Sequence, residues 1–537
     1  MNRLLVLAGT LFALVVALTL IRPPAPSHPQ LEFNTPDGLN GQVLLAAQPS
    51  ATFCRDVGTP IARALEGACP ACKVTPLRCL PALSERQQDI LGGQSPTGYS
   101  VRLPAGVMLL RSADPQLAKG ACEAVAAQGL GVCLGEGGRA GLLAPQNLQQ
   151  QPVMSWVQLA GVAALPFLAS LALGLLIVFG MPLHGRWTAD YPGSGVQKLH
   201  VRLVPRVGGL ALMAGAAAPL IWPMWGDDLL MSLSMPFGQG QVSVASVLKV
   251  LLLASLPAFV FGLAEDLTRR VGVRERLLAT MASALLAWWL TGFLIERLDL
   301  GVLDAVMSVA AISLAFTALA VAGVANAMNI IDGVHGLASG VGAFALMALG
   351  VLAWMVGDRT MAVVCALLVG ATVGFFVLNF PFGRLFLGDG GAYVLGFWIA
   401  WISVMLVGRN PDVSPWACLL IVAYPVTEVL YSVKRRLSAK LHPSEPDLGH
   451  LHSLVKTRWM PSRFGRFGPD LQNAAVSPGL WLLAVAPMGI AVLGHEMRVV
   501  LIAGTVVFVV VYAWLHRRVG EMDFPGGVGA TSEPAKP

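Results

Sequence analysis

Four polar residues recur at intervals of three in "NAMNIIDGVHGL": Asn326, Asn329, Asp332 and His335. That spacing keeps side chains near one helical face, so the four can address one ligand. They follow Ala305 to Ala325, a stretch without a single charge. Four other segments carry groups of the same kind. "AEDLTRR" supplies Glu265 and Asp266, and "FLGDGGAYVLGF" sets Asp389 among glycines. "PDLGHLHSLV" supplies His450 and His452, and "HVRLVPRVGG" supplies Arg202 and Arg206. Several carboxylates with few thiols or histidines suit a hard cation, Mg²⁺ or Mn²⁺. Arginines suit phosphate oxygens. Glycines around Asp389 let backbone N–H groups approach an anion. The chemistry this set suits is phosphoryl transfer on a nucleotide. Each motif alone also has a plain reading: a capped span, a polar helix end, a glycine turn, a solvated histidine pair. Their convergence on one face is what favours chemistry.

The elements that must position these groups are membrane helices. The chain has 537 residues, 55% of them hydrophobic and only 12% charged, against about 25% charged in soluble domains. The net charge of +6 does not indicate nucleic acid, because the basic residues sit between apolar runs, as membrane orientation requires. A span needs roughly 20 apolar residues. Candidates lie near 155–181, 206–223, 244–264, 277–295, 305–325, 338–356, 361–378, 391–407, 415–433, 478–494 and 497–516. The loops 182–205, 265–276, 326–337, 379–390 and 434–477, with the tail after 516, carry most of the lysines and arginines. The positive-inside rule places them in the cytoplasm, and every acidic cluster named above lies with them. Carboxylates at a membrane boundary are costly unless paired or working.

The expected architecture is therefore an all-α polytopic membrane protein. It has eleven core transmembrane helices plus one N-terminal helix, and a small disulfide-bonded α/β extracytoplasmic domain. Residues 1–21 read as a membrane anchor, with a signal peptide as the alternative. Residues 22–153 form the outer domain, 154–518 the polytopic block and 519–537 a cytoplasmic tail. In the outer domain "GQVLLAA" and "GVMLLRS" read as strands and "TPIARALEGA" as a helix. Cys54, Cys69, Cys72, Cys79, Cys122 and Cys133 all fall there, which in an exported segment implies disulfides of open pairing. "CPAC" follows a helix rather than opening one, so structural bridges are favoured over a redox site. Cys365 and Cys418 read as apolar packing residues within spans.

At "PRVGGLAL", "AEDLTRR", "NAMNIIDGVHGLA", "NFPFGRLFLGDGGAYVLGF" and "PDLGHLHSL" the sequence resembles the polyprenyl-phosphate N-acetylhexosamine-1-phosphate transferases, relatives of the phospho-MurNAc-pentapeptide translocase. The five motifs occur in the family's order over most of residues 155 to 517. The resemblance implies transfer of a sugar-1-phosphate from a UDP-sugar to undecaprenyl phosphate at a bacterial inner membrane. UMP would leave at the cytoplasmic face. It implies Asp389 as main Mg²⁺ ligand, Glu265 and Asp266 near the phosphates, and Asn329 and Asp332 in the nucleotide and metal pocket. His450 and His452 would meet the diphosphate or sugar, with Asn326, His335, Arg202 and Arg206 completing the substrate contacts. Three features depart from the family: Glu265 where many members have Asp, His335 in place of a second carboxylate, and a short His-Leu-His-Ser motif. They favour a surface-polysaccharide role over a peptidoglycan precursor. The outer domain is not needed by the family core and is compatible with a glycan or assembly-protein contact; a homodimer is equally compatible. A transporter is the main rival, and a sensor the third reading.

Overall fold

A computed structural model of the chain describes residues 28–45, 71–80, 99–103, 106–127, 132–134, 156–190, 203–221, 244–410, 412–440, 449–461 and 468–522, with the single positions 62, 83, 84 and 87. The expected N-terminal helix, Cys54, Cys69 and Arg202 lie outside these residues, as do most of the expected helix at 59–68 and of the tail. Contacts divide the chain into two units. One comprises residues 1–159, 222–250 and 286–293; the other comprises 160–221, 251–285 and 294–537.

The first unit contains an antiparallel sheet. Its strands are β1 (His28–Asn34), β2 (Asn40–Leu45), β3 (Lys73–Val74), β4 (Arg78–Leu80), β5 (Tyr99–Leu103), β6 (Gly106–Arg111) and β7 (Val132–Leu134). The order is β3-β1-β2-β6-β5-β7, with β4 also paired to β1. β1 and β2 form a hairpin in register Leu31 to Val43, closed by a turn with Gly38 at φ 85°. Helix α1 (Pro115–Ala127) covers the sheet. Leu31, Val43, Val101, Leu110, Ala118 and Cys122 make the shared core. The two expected strands are present as β2 and β6. The described part of the domain is an antiparallel sheet with a helix, and a short turn joins β1 to β2.

The remaining helices are α2 (Trp156–Phe179), α3 (Met181–Thr188), α4 (Gly208–Ile221), α5 (Val244–Thr268), α6 (Val273–Thr291), α7 (Val302–Met307), α8 (Ala310–Ile330), α9 (Leu337–Met355), α10 (Arg359–Asn379), α11 (Gly388–Arg409), α12 (Pro415–Ile421), α13 (Ala423–Ser438), α14 (Leu451–Leu454), α15 (Pro469–Leu493) and α16 (Arg498–Gly520). Among the described residues, eight helices are long and apolar enough to cross a bilayer. The protein is an integral membrane protein. On α16 Val499, Val506, Val507 and Val510 are exposed, as a lipid-facing surface requires.

Three expected spans differ from the helices formed. α4 has 14 residues, fewer than a straight crossing needs. α6 opens with Arg274, Glu275 and Arg276, so its first turn is polar. Residues 415–433 are a broken element: α12 and α13 meet at 77°. Pro425 explains the break, since its ring would collide with the carbonyl of Ile421 four residues earlier and it lacks an N–H. A fourth difference bears on the site. The apolar run 305–325 becomes a helix over Ala310–Ile330. Asn326 and Asn329 therefore lie inside its last turns rather than beyond its end.

Candidate active site

Asp266 and the start of α11 form the centre of the constellation. Asp266, in the last turns of α5, is 2% exposed. Its Oδ1 accepts hydrogen bonds from the Asp389 backbone N–H (2.9 Å) and from Arg206 Nε (3.1 Å). Its Oδ2 accepts from the Gly390 N–H at 3.0 Å. These are N–H groups that the first turn of α11 cannot satisfy internally, and a carboxylate there is also favoured by the helix dipole. Asp266 thus caps the helix that carries Asp389.

Glycines make this approach possible. A Cβ on Gly388, at φ 74°, would collide with the Arg206 carbonyl and the Asp266 carboxylate. A Cβ on Gly209 would meet the backbone of Gly390 and Gly391, and one on Gly262 would meet the backbone of Asp389 and Gly390. α4, α5 and α11 therefore converge at backbone distance. The segment before α4 is laced to the segment before α11: the Phe386 N–H donates to Pro205 O (2.9 Å), and the Gly208 and Gly209 N–H groups donate to Phe386 and Leu387. That lacing holds Arg206 beside Gly388. Gly388→Ala should consequently remove nearly all turnover while the chain still inserts and purifies as a single species. Size-exclusion chromatography beside an activity assay measures this, and an Ala variant with ordinary turnover would contradict the packing described.

Asp389 lies in the first turn of α11 rather than in a turn ahead of it. Its Oδ1 accepts from Asn329 Nδ2 at 3.1 Å and lies 3.9 Å from Arg206 Nη2. Its Oδ2 is ion-paired with Arg276. Arg276, near the start of α6, lies among the basic loops of the sequence, where nothing in its spacing marks it as a site residue. Its guanidinium also faces the Tyr393 ring, 5.9 Å from the centroid. Asp332 follows α8 in a short turn. Burial pushes its carboxyl up from 3.8 to about 7, against the pull of the Arg206 guanidinium. Arg206 thus sits amid Asp266, Asp332 and Asp389.

The structure does not gather every expected residue. Asn326 turns to its own helix, donating to Ala322 O (2.8 Å), and its Oδ1 accepts from Tyr393 OH at 3.4 Å. Glu265 faces the loop, where its carboxylate accepts the Val271 N–H at 2.8 Å. His335 is buried on the other side of its turn. Its N–H donates to Asn473 Oδ1 (3.0 Å), its Nδ1 is 3.2 Å from Pro381 O, and Ser477 Oγ donates to its carbonyl. With Arg384, Phe386 and Asp470 it lines a separate cavity of about 190 Å³. The spacing of three therefore yields Asn329 and Asp332 at the centre, while Asn326 and His335 are packed to either side. The helix ends at Ile330, so its periodicity does not extend to His335.

His450 and His452 are both buried, with parallel rings 5.6 Å apart. His452 Nε2 packs against Gly333, the neighbour of Asp332, where a Cβ would not fit. Burial holds the His452 imidazole down at about 4, so it is neutral at ordinary pH. His450 Nδ1 meets Glu428 Oε1 at 3.0 Å. Glu428 lies in the expected span 415–433, and a carboxylate within a span is itself a signal of function.

No cluster of three histidine, cysteine or acidic residues with metal-binding geometry occurs among the described residues. A Mg²⁺ site does not need one. It is usually held by one or two carboxylates together with substrate phosphates and waters. Asp389 and Asp332, flanked by arginines, are compatible with that donor set.

Residues 248–407 match the model of glycosyl transferase family 4. Over that stretch the chain is similar to this family. The matched stretch contains Asp266, Arg276, Asn329, Asp332 and Asp389, while Arg206, Glu428 and the histidine pair lie outside it. The undecaprenyl-phosphate alpha-N-acetylglucosaminyl 1-phosphate transferase of Salmonella typhi is 26% identical over 277 residues, covering 50% of this chain and 69% of that relative. The Escherichia coli K12 protein of the same name is 32% identical over 152 residues, covering 27% of this chain and 41% of its own length. A probable undecaprenyl-phosphate N-acetylglucosaminyl 1-phosphate transferase of Bacillus subtilis is 25% identical over 274 residues, covering 49% and 68%. The family match covers the stretch that carries the central carboxylates, and the named relatives are undecaprenyl-phosphate N-acetylglucosaminyl 1-phosphate transferases.

Proposed function

We propose that the protein transfers an N-acetylhexosamine-1-phosphate from a UDP-sugar to undecaprenyl phosphate. It would release UMP and form the lipid-pyrophosphate sugar that begins a surface polysaccharide. The observation that carries the reading is the arrangement of Asp389, Asp266 and Asp332 about Arg206, Arg276 and Asn329, all but Arg206 inside the stretch that matches the family. The groups lie at helix ends, at the close of α5 and α8 and the start of α11. Transporters set ionisable groups at mid-membrane, so this placement favours surface chemistry. The enzyme sits in the bacterial inner membrane with this end of the helices in the cytoplasm, as the distribution of basic loops supports. Residues 22–153 lie outside, where cysteines oxidise. Support for oxidation comes from Cys72, Cys79 and Cys122, which are disulfide-bonded.

The acceptor phosphate attacks the β-phosphorus of the donor. One P–O bond forms, the bond to the UMP oxygen breaks, and UMP departs with the electron pair. A phosphate monoester has a second pKa of about 6 and is already largely ionised near neutral pH, so no strong base is required. What the protein must supply is charge and alignment. Arg206 and Arg276 orient phosphate oxygens, and Asn329 holds the Asp389 carboxylate in place. A bound Mg²⁺ would be held by Asp389 and Asp332 and would neutralise the diphosphate. Asp266 acts as the fixed support beneath Asp389. Both its oxygens accept hydrogen bonds and it is buried, which argues against a covalent aspartyl route.

UMP release by the purified protein with undecaprenyl phosphate, Mg²⁺ and a panel of UDP-N-acetylhexosamines tests the proposal. Release that requires the lipid phosphate is expected; release from none of the donors by folded protein would overturn it. Metal dependence carries a sign. Asp332 is an acid raised in the fold, so it is protonated below about 7, and a neutral acid does not ligate Mg²⁺. Apparent Mg²⁺ affinity should therefore fall as pH drops through about 7. In the metal-free protein, stability should fall as pH rises from about 4 through 7, since the folded state holds the proton more tightly. Thermal unfolding across pH, with and without Mg²⁺, checks both. Stability that rises over that window without metal would contradict the assignment.

A further inference from the structure

The histidine pair rests on a buried polar chain that the reaction described above does not use. Glu428, on α13, is 1% exposed. It accepts from Tyr512 OH on α16 at 2.7 Å, from His450 Nδ1 at 3.0 Å, and from the Leu451 N–H at 3.2 Å. The residue before His450 is fastened independently. The Gly449 carbonyl accepts from Arg435 and lies 2.8 Å from His516 Nε2. His450 then stacks on His452, and His452 presses on Gly333 beside Asp332. Among the described residues nothing hydrogen-bonds His452 Nδ1, although the residue is 4% exposed.

Burying a carboxylate is costly, and the cost is accepted where the charge is fully hydrogen-bonded. A carboxylate on one ring nitrogen of a histidine also fixes which nitrogen carries the proton. With Glu428 on Nδ1, a proton of His450 is held there, and Nε2 is turned away from the carboxylate. We infer that Glu428, held by Tyr512, is the positioning residue of the histidine pair, setting the tautomer of His450 and the placement of His452 against the Asp332 turn. This rests on the transferase reading given above. Glu428 touches neither substrate nor reacting atoms; it acts through His450.

The test is a double-mutant cycle on the full-length protein in detergent or nanodiscs, reading UMP release, KM for the UDP-sugar and thermal stability. Glu428→Gln keeps the shape and loses the charge; Tyr512→Phe removes one support of Glu428 without touching the histidines. Glu428→Gln should lower kcat by about 10- to 100-fold, with KM changed by less than about threefold. Tyr512→Phe should lower kcat in the same sense and by less. In a His450→Ala background, Glu428→Gln should cause no further loss of kcat, because the two residues act as one unit. Losses that multiply in the double variant would overturn the inference, as would a Glu428→Gln protein of ordinary kcat. If Glu428→Gln does not fold, Tyr512→Phe with and without His450→Ala gives the same comparison. A wild-type protein that releases no UMP would instead count against the transferase reading itself.

Discussion

Asp389→Asn should lower turnover by about a thousandfold or more while leaving the fold intact. Asparagine is nearly isosteric, so the Asn329 contact and the capped start of α11 can persist. What is lost is one negative charge between Arg206 and Arg276. Removing a single preorganised electrostatic group typically costs about 10²–10³ in kcat. If Asp389 holds Mg²⁺ as proposed, the loss would also weaken that site, since an amide oxygen is a weaker ligand than a carboxylate. The loss should appear in kcat rather than KM, because the charge is needed most where phosphoryl transfer develops it. Raising Mg²⁺ should recover only part of the activity. Steady-state UMP release at two Mg²⁺ concentrations checks the expectation. Residual activity within tenfold of wild type would remove Asp389 from the centre of the site.

Asp266→Asn should cost nearly as much, by a different route and with a different signature. The asparagine side chain has one acceptor oxygen and one NH₂ donor. The wild-type carboxylate receives three donors on two oxygens: Arg206 Nε, the Asp389 N–H and the Gly390 N–H. The substitution must face at least one donor with another donor and leave the Arg206 guanidinium without this carboxylate. Breaking a buried ion pair by removing one charge costs about 3–5 kcal/mol. The Asp266 variant should therefore melt earlier than the Asp389 variant, because the Asp266 carboxylate is the more deeply buried of the two. Its kcat should fall about a hundredfold, the scale of a displacement of about 1 Å in a group that aligns reactants. A covalent role predicts the opposite pair of results: abolished turnover and unchanged stability. Measuring melting temperature and kcat together on both variants separates the two roles. An Asp266→Asn protein of wild-type stability and no turnover would contradict the positioning role.

The membrane character and the identity of the central carboxylates were legible in the sequence. Apolar runs bounded by basic loops report bilayer crossing directly, because hydropathy and the positive-inside bias are properties of composition. Asp266, Asp332 and Asp389 stood out because carboxylates beside spans are rare. What was not legible depends on where a helix ends in three dimensions. The run Ala305–Ala325 is apolar, yet the helix runs on through "NAMNI" to Ile330, because Asn326 and Met328 continue the same turn of backbone. Asn326 then binds its own helix, and His335, beyond the end, escapes the face that a spacing of three implies. Arg276 was hidden by its surroundings, one of four arginines between Arg269 and Arg276 that a charge count treats alike. Only the approach of α6 to α11 distinguishes it. Glu428 was concealed within an apolar stretch read as one straight span. The break at Pro425 turns α13 away from α12 and brings the carboxylate to the histidine motif.

The most direct test of the central claim follows the phosphorus. Purified protein would be given a UDP-N-acetylhexosamine labelled with ³²P in the β-phosphate, together with undecaprenyl phosphate and Mg²⁺, and the products would be partitioned between water and organic solvent. Transfer of a sugar-1-phosphate moves the β-phosphorus with the sugar. The account predicts labelled lipid in the organic phase and unlabelled UMP in the aqueous phase, both dependent on Asp389. Label that remains with the nucleotide as UDP, while sugar enters the lipid, would mean that the sugar–phosphate bond is the one broken. That result would contradict the account.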